Sequence, residues 1–107
     1  MANNQANSYP MLTMATAAGA GESMSVGSDI KSFQAIGSTT SGTGAASVDI
    51  EVSNNGVNWI VMGTIALTLG TAETTDGFVG LSGWRYIRAN VKSISGTGAK
   101  VSVIVGV

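Results

Sequence analysis

A single all-β domain is what this sequence of 107 residues predicts. The architecture it points to is a β-sandwich or jelly-roll-like domain of about seven to nine short strands, with an extended N-terminal arm. Three observations carry this. Apolar and polar residues alternate in several stretches with the two-residue period of a half-buried strand. Fifteen glycines, with clusters of Asn, Ser and Thr, punctuate those stretches as turns. No stretch shows an apolar stripe at helical spacing with capping residues.

Residues 1–20 read as an arm. Asn, Gln and Ser dominate 1–8, and "YPMLTMATA" after them predicts an edge strand, where Pro is tolerated. The sandwich proper is expected over 21–107. "IKSFQAI" sets Ile30, Ser32, Gln34 and Ile36 against Lys31, Phe33 and Ala35, so one face is only partly apolar. In "ASVDIEV", Val48, Ile50 and Val52 face one way and Asp49 and Glu51 the other. Asn55-Gly56 predicts a type I′ hairpin turn. "VNWIVMGTIALTL" returns as one bent strand or two, with Gly63 at the bend. "GTAETTDG" reads as turn, with Asp76 as its turn aspartate, and "FVGL" as a short strand. "WRYIRANVKSI" directs Ile87, Ala89 and Val91 inward and Tyr86, Arg88 and Asn90 outward. The final "AKVSVIVGV" lines up Val101, Val103, Val105 and Val107, and its unbroken apolar face predicts a central position.

"SGTGA" occurs at 41–45 and again at 95–99. A phosphate-cradling loop needs a following GK[ST] and a helix whose amides face the phosphate; both copies lack them. Aligning the copies as a duplication puts their apolar faces on opposite sides, because a one-residue slip flips a strand. The expectation is one turn used twice, as two hairpin loops.

Composition narrows the chemistry. There is no Cys and no His, which removes disulfides, thiolate metal sites and the commonest general base. No enzyme and no cofactor are therefore expected. Asp49 and Glu51 lie about 7 Å apart along their strand. Such a pair is ordinarily a solvated face. Arg85 and Arg88 flank Tyr86; the alternatives are an anion or sugar patch, or an Arg88 pairing with a cross-strand carboxylate. Trp59 and Trp84 are expected as core anchors, with sugar stacking as the rival role. Only 10% of residues are charged, against about 25% in ordinary domains. Interface cores are depleted in charge, so the chain is expected to pack against other copies or another protein. Net charge is −1, which offers no pull toward nucleic acid or an anionic membrane. No targeting segment and no membrane-spanning run is expected.

"VDIEVSNNGVNWIVMGT" followed by "FVGLSGWRYIRANVKSISGTGAKVSVIV" resembles small β-sandwich proteins encoded in the structural gene clusters of tailed bacteriophages. The shared grammar is a strand-NG-x-x-W hairpin, an aromatic-R-Y-[IV]-R-A strand and a terminal SGTGA-type hairpin, over roughly 46–107. It is also similar to discoidin-type galactose-binding domains, where DG-x-x-W and RYIR-like strands recur. Asn55-Gly56 stands where Asp-Gly is usual there, and no sugar or calcium site carries over. The resemblance implies a virion structural protein, foremost a capsid decoration or cement protein, with tail or head–tail joining and carbohydrate-binding roles as alternatives. The partners it implies are the major capsid protein or other virion proteins, copies of itself as a trimer or dimer, and in the last case a glycan. Tyr9, Pro10, Met11, Leu12 and Met14 in the arm, and Arg85, Tyr86 and Arg88, are the expected contact residues.

Overall fold

The computed structural model describes residues 7–107. They form β1 (Ser8–Ala15), β2 (Gly19–Ala20), β3 (Ile30–Ser38), β4 (Ser41–Ser53), β5 (Ile60–Leu69), β6 (Thr74–Leu81), β7 (Tyr86–Thr97) and β8 (Lys100–Gly106). Sheet I has the order β1-β8-β3-β6 and sheet II the order β2-β7-β4-β5, and all pairings are antiparallel. Only the β4–β5 connection stays within one sheet; every other one crosses to the opposite sheet. That alternation is the jelly-roll arrangement of a two-sheet sandwich.

The core follows from the period of two. Val48, Ile50 and Val52 of β4, Ile87, Ala89 and Val91 of β7, and Val101, Val103 and Val105 of β8 are all buried, with Phe33, Ile65, Leu67 and Leu69. β-branched side chains suit a pleated, buried face, and full burial of each is worth about 1.5–3 kcal/mol. The valine-rich β8 lies between β1 and β3, the central position its pattern predicts. Beside Phe33, the core-facing position 31 holds a lysine. Its Nζ donates to the Ser28 carbonyl and, at 2.6 Å, to the Ser82 carbonyl. Burial pushes this ammonium below the usual lysine range, and the nearby Asp29 offsets part of that.

The doubled "SGTGA" is a corner, not two hairpins. The first copy opens β4 and the second ends β7 and leads into β8. In each case the chain is passing between sheets. The two copies are hydrogen-bonding neighbours: Ser41 stands opposite Thr97 and Ala45 opposite Ser95, with a bulge between. A Cβ on Gly44 would clash with the Ser95 carbonyl oxygen. One on Gly96, at φ 121°, would lie 3.0 Å from the Gly44 Cα. Gly44 of the first copy and Gly96 of the second thus lie where the other copy's backbone leaves no room for a side chain.

Two turn expectations are corrected. Asn55 does not adopt the positive φ of a type I′ turn; only Gly56 does, at φ 73°. The loop is longer than two residues, spanning 54–59 between β4 and β5. The Ser53 hydroxyl accepts from the Asn55 and Gly56 amides, and Asn55 Oδ1 from those of Val57 and Asn58. Residues 74–77, expected as turn, belong to β6, where Asp76 lies opposite Ala35. The bend near Gly63 is a bulge: pairing steps from Ile50↔Gly63 to Glu51↔Val61, leaving Met62 over. The bare Gly63 admits the Phe78 ring, which packs 5.3 Å from Phe33.

Of the arm over 1–20, residues 1–6 lie outside the described residues. Ser8–Ala15 is an edge strand zipped onto β8, with two register shifts. Met14 sits at φ 48°, and its amide donates to Ser102 Oγ at 2.9 Å. Bulges and Pro10 blunt this edge against further pairing.

Candidate interaction surfaces

The expected contact residues fall into two sets on different sheets. Tyr9, Pro10, Met11, Leu12 and Met14 lie on β1 in sheet I; Tyr86 and Arg88 lie on β7 in sheet II, with Arg85 just before it. Within the first set, Met11 is buried in the chain's own core and Leu12 packs against it. They are therefore committed to folding. Tyr9, Pro10 and Met14 are exposed. Pro10 and Leu12 border a groove of about 540 Å³ between β1 and the 21–24 segment.

The second set is built into an electrostatic stack on the outer face of sheet II. Cross-strand register places Glu51 opposite Arg88 and Asp49 opposite Asn90. Arg88 Nε donates to Glu51 Oε1 at 2.7 Å and Asn90 Nδ2 to Glu51 Oε2 at 3.1 Å. The Arg88 guanidinium lies 4.1 Å from the Trp59 ring centre, within cation–π range. Thr64 Oγ1 donates to Asp49 Oδ1 at 2.7 Å. Burial alone would push the Glu51 carboxyl up. The hydrogen bonds from Asn90 and Arg88 and the charges of Arg88 and Lys92 outweigh it, so the carboxyl is held below the usual range.

This corrects the expectation of a solvated carboxylate face. Asp49 and Glu51 are only 9% and 6% exposed. Of the two readings of Arg88, the cross-strand ion pair is the one formed. Trp59 is not a core anchor; it lies over Arg88 on the outside of sheet II. Trp84 does pack on the core. Arg85 stands 5.4 Å from the Tyr86 ring centre, and its amide donates to Asn54 Oδ1. The aromatic faces that would stack on a sugar are thus partly occupied by the protein's own cations. Alternation showed which side Glu51 takes, but nothing local showed that Arg88 and Trp59 would roof it.

The outer face of sheet I is different in kind. Ile30 stands opposite Leu81 and Ser32 opposite Val79, with Gly106 on the other side of Ser32. Ile30, Val79 and Leu81 are 59%, 66% and 78% exposed. Among the described residues no group of His, Cys, Asp or Glu is arranged to hold a metal ion, and no helix is long and apolar enough to cross a membrane.

No family model matches the chain, and no curated protein matches it. Two solved structures are similar in fold. The SPBc2 prophage-derived protein YomS superposes with a TM-score of 0.60 at 17% identity, over 96% of this chain and 94% of that one. The PBSX exported protein XepA gives a TM-score of 0.57 at 15% identity, over 96% of this chain and 36% of that one. The chain therefore shares its β-sandwich fold with both, with nearly the whole of YomS and about a third of XepA.

Proposed function

We propose that this chain is a non-enzymatic structural protein of a tailed-phage particle, acting foremost as a capsid decoration or cement protein. The observation that carries the reading is the pairing of a prophage-type sandwich with a sheet face that is apolar, uncharged and exposed. The charged groups support the reading in a second way. Glu51, Arg88 and Lys31 are engaged by hydrogen bonds inside the fold, which is the use a structural protein makes of them. The mechanism is mechanical. A rigid sandwich, stiffened by its corner and its bulged edges, covers a junction between shell subunits and exchanges exposed apolar area for contact.

The likeness to XepA, which is named as exported, favours a second reading: a phage-encoded protein that acts outside the particle. Quantitative protein mass spectrometry on density-purified particles separates the two. Hundreds of copies per particle are expected for decoration. A dozen or fewer would assign the chain to the tail or the head–tail joint. Absence from particles, with the chain found in the medium, would overturn the particle reading.

A further inference from the structure

From the outer face of sheet I we infer a self-association surface whose occupant is a second copy of this chain. The inference deepens the particle reading by naming a second copy as what this face meets, and sedimentation of the purified chain tests it apart from that reading. Cross-strand register gathers Ile30, Leu81 and Val79 at one end of that face, and all three are exposed. Ile104, opposite Gln34 on β8, carries the apolar surface toward the middle. Gly77 and Gly106, opposite Gln34 and Ser32, keep the surface low between them.

Three features select a like partner. The first is charge. The outward strand positions of this face carry no charged side chain until Lys100, at the corner end of β8. Two copies therefore meet without like-charge repulsion, whereas an acidic or basic partner finds no complement. The second is polar satisfaction. Gln34 Nε2 donates to Thr75 Oγ1, the Thr75 hydroxyl donates to the Ala35 carbonyl, and Ser102 Oγ accepts from the Met14 amide. Polar groups already paired within the chain can be covered with little penalty. The third is size. Four strands at sheet spacing and about eight residues long present about 500 Å² on each copy, with Lys100 at the rim, so two copies bury about 1,000 Å², where specific interfaces begin. Sheet II also exposes Ile60 and Val61 on β5, but Val61 stands opposite Glu51, whose other neighbour is Arg88, so covering that face would strip water from the remaining exposed part of Arg88.

Sedimentation velocity on the full chain across a concentration range tests this, with wild type beside the Val79→Thr/Leu81→Thr double variant. Threonine keeps strand propensity and these side chains are outside the core, so thermal melting of the variant measured at a dilution where wild type is monomeric should match wild type. The expected result is a wild type that forms species of two or more chains, and a variant whose association is weakened at least tenfold. A wild type that stays monomeric at the highest concentration would overturn the inference. So would a variant that assembles as wild type does.

Discussion

The two outer faces of the sandwich solve the same problem in opposite ways. Sheet II carries Asp49, Glu51, Arg88 and Asn90, yet its carboxylates are roofed by their partners and by Trp59. Sheet I carries Ile30, Val79 and Leu81, and leaves them in solvent. A chain so poor in charge spends much of it on holding its own fold together. What that leaves bare is a hydroxyl-rich and apolar face, suited to contact with another protein surface. The lesson is that polarity in the sequence does not mark the solvated side here. The carboxylates of the charged face are internally satisfied, and the uncharged face is open.

Substitutions at several positions separate the two faces. The largest effect is expected at the corner both sheets share. Gly44→Val places side-chain atoms in the Ser95 carbonyl, and should cost more than about 4 kcal/mol, the range of severe backbone and packing lesions. Loss of a cooperative melt would show it; a near-normal melting temperature would mean the corner yields.

On sheet II, Arg88→Ala leaves Glu51 without its counter-charge and bares Trp59. The expected cost is about 2–4 kcal/mol, below the full price of a broken buried pair because Arg88 is 26% exposed. Arg88→Lys should restore only part of it, since an ammonium cannot reproduce the planar fork. Denaturant melts of the three proteins decide the order.

Acid sharpens the same point. The Glu51 carboxyl is held below its unfolded value, so the folded state binds fewer protons than the unfolded chain. Its contribution to stability is complete above the unfolded carboxylate pKa of about 4.3, and is lost as pH falls through the folded value. Wild type should lose melting temperature more steeply than Glu51→Gln below about pH 4.5, while at pH 7 the variant should be less stable by about 1–3 kcal/mol. Parallel acid limbs would remove Glu51 from the account. The smallest effect on folding is expected on sheet I, where Val79→Thr or Leu81→Thr should change stability by no more than about 0.5 kcal/mol.

Much of the sandwich is legible in the sequence because its core obeys the simplest rule. The alternating residues of β4, β7 and β8 point inward where the period of two places them. What is not legible is long-range partnership. "SGTGA" reads locally as a turn in either copy; that the copies lie side by side depends on β4 pairing with β7 across the intervening chain. Lys31 shares the inward register of Phe33 and Ala35, and of the two carbonyls that make its burial tolerable, Ser28 is local but Ser82 lies far along the sequence. Trp59 looks like core by its chemistry and becomes a lid because Arg88 lies beneath it. The openness of sheet I was half visible in the mixed face of "IKSFQAI". Its apolar partners, Val79 and Leu81, sit in a strand whose first half reads as turn.

One matched pair of substitutions tests the claim that the two faces differ in purpose. Leu81→Glu puts a charge on the outer face of sheet I, and Thr68→Glu puts the same charge on the exposed outer face of sheet II, opposite Ala45. With wild type as reference, their masses are compared by sedimentation at equal concentration. The account predicts that Leu81→Glu runs as a monomer while Thr68→Glu assembles as wild type does. Equal assembly by both variants, or loss of it in both, would contradict the account.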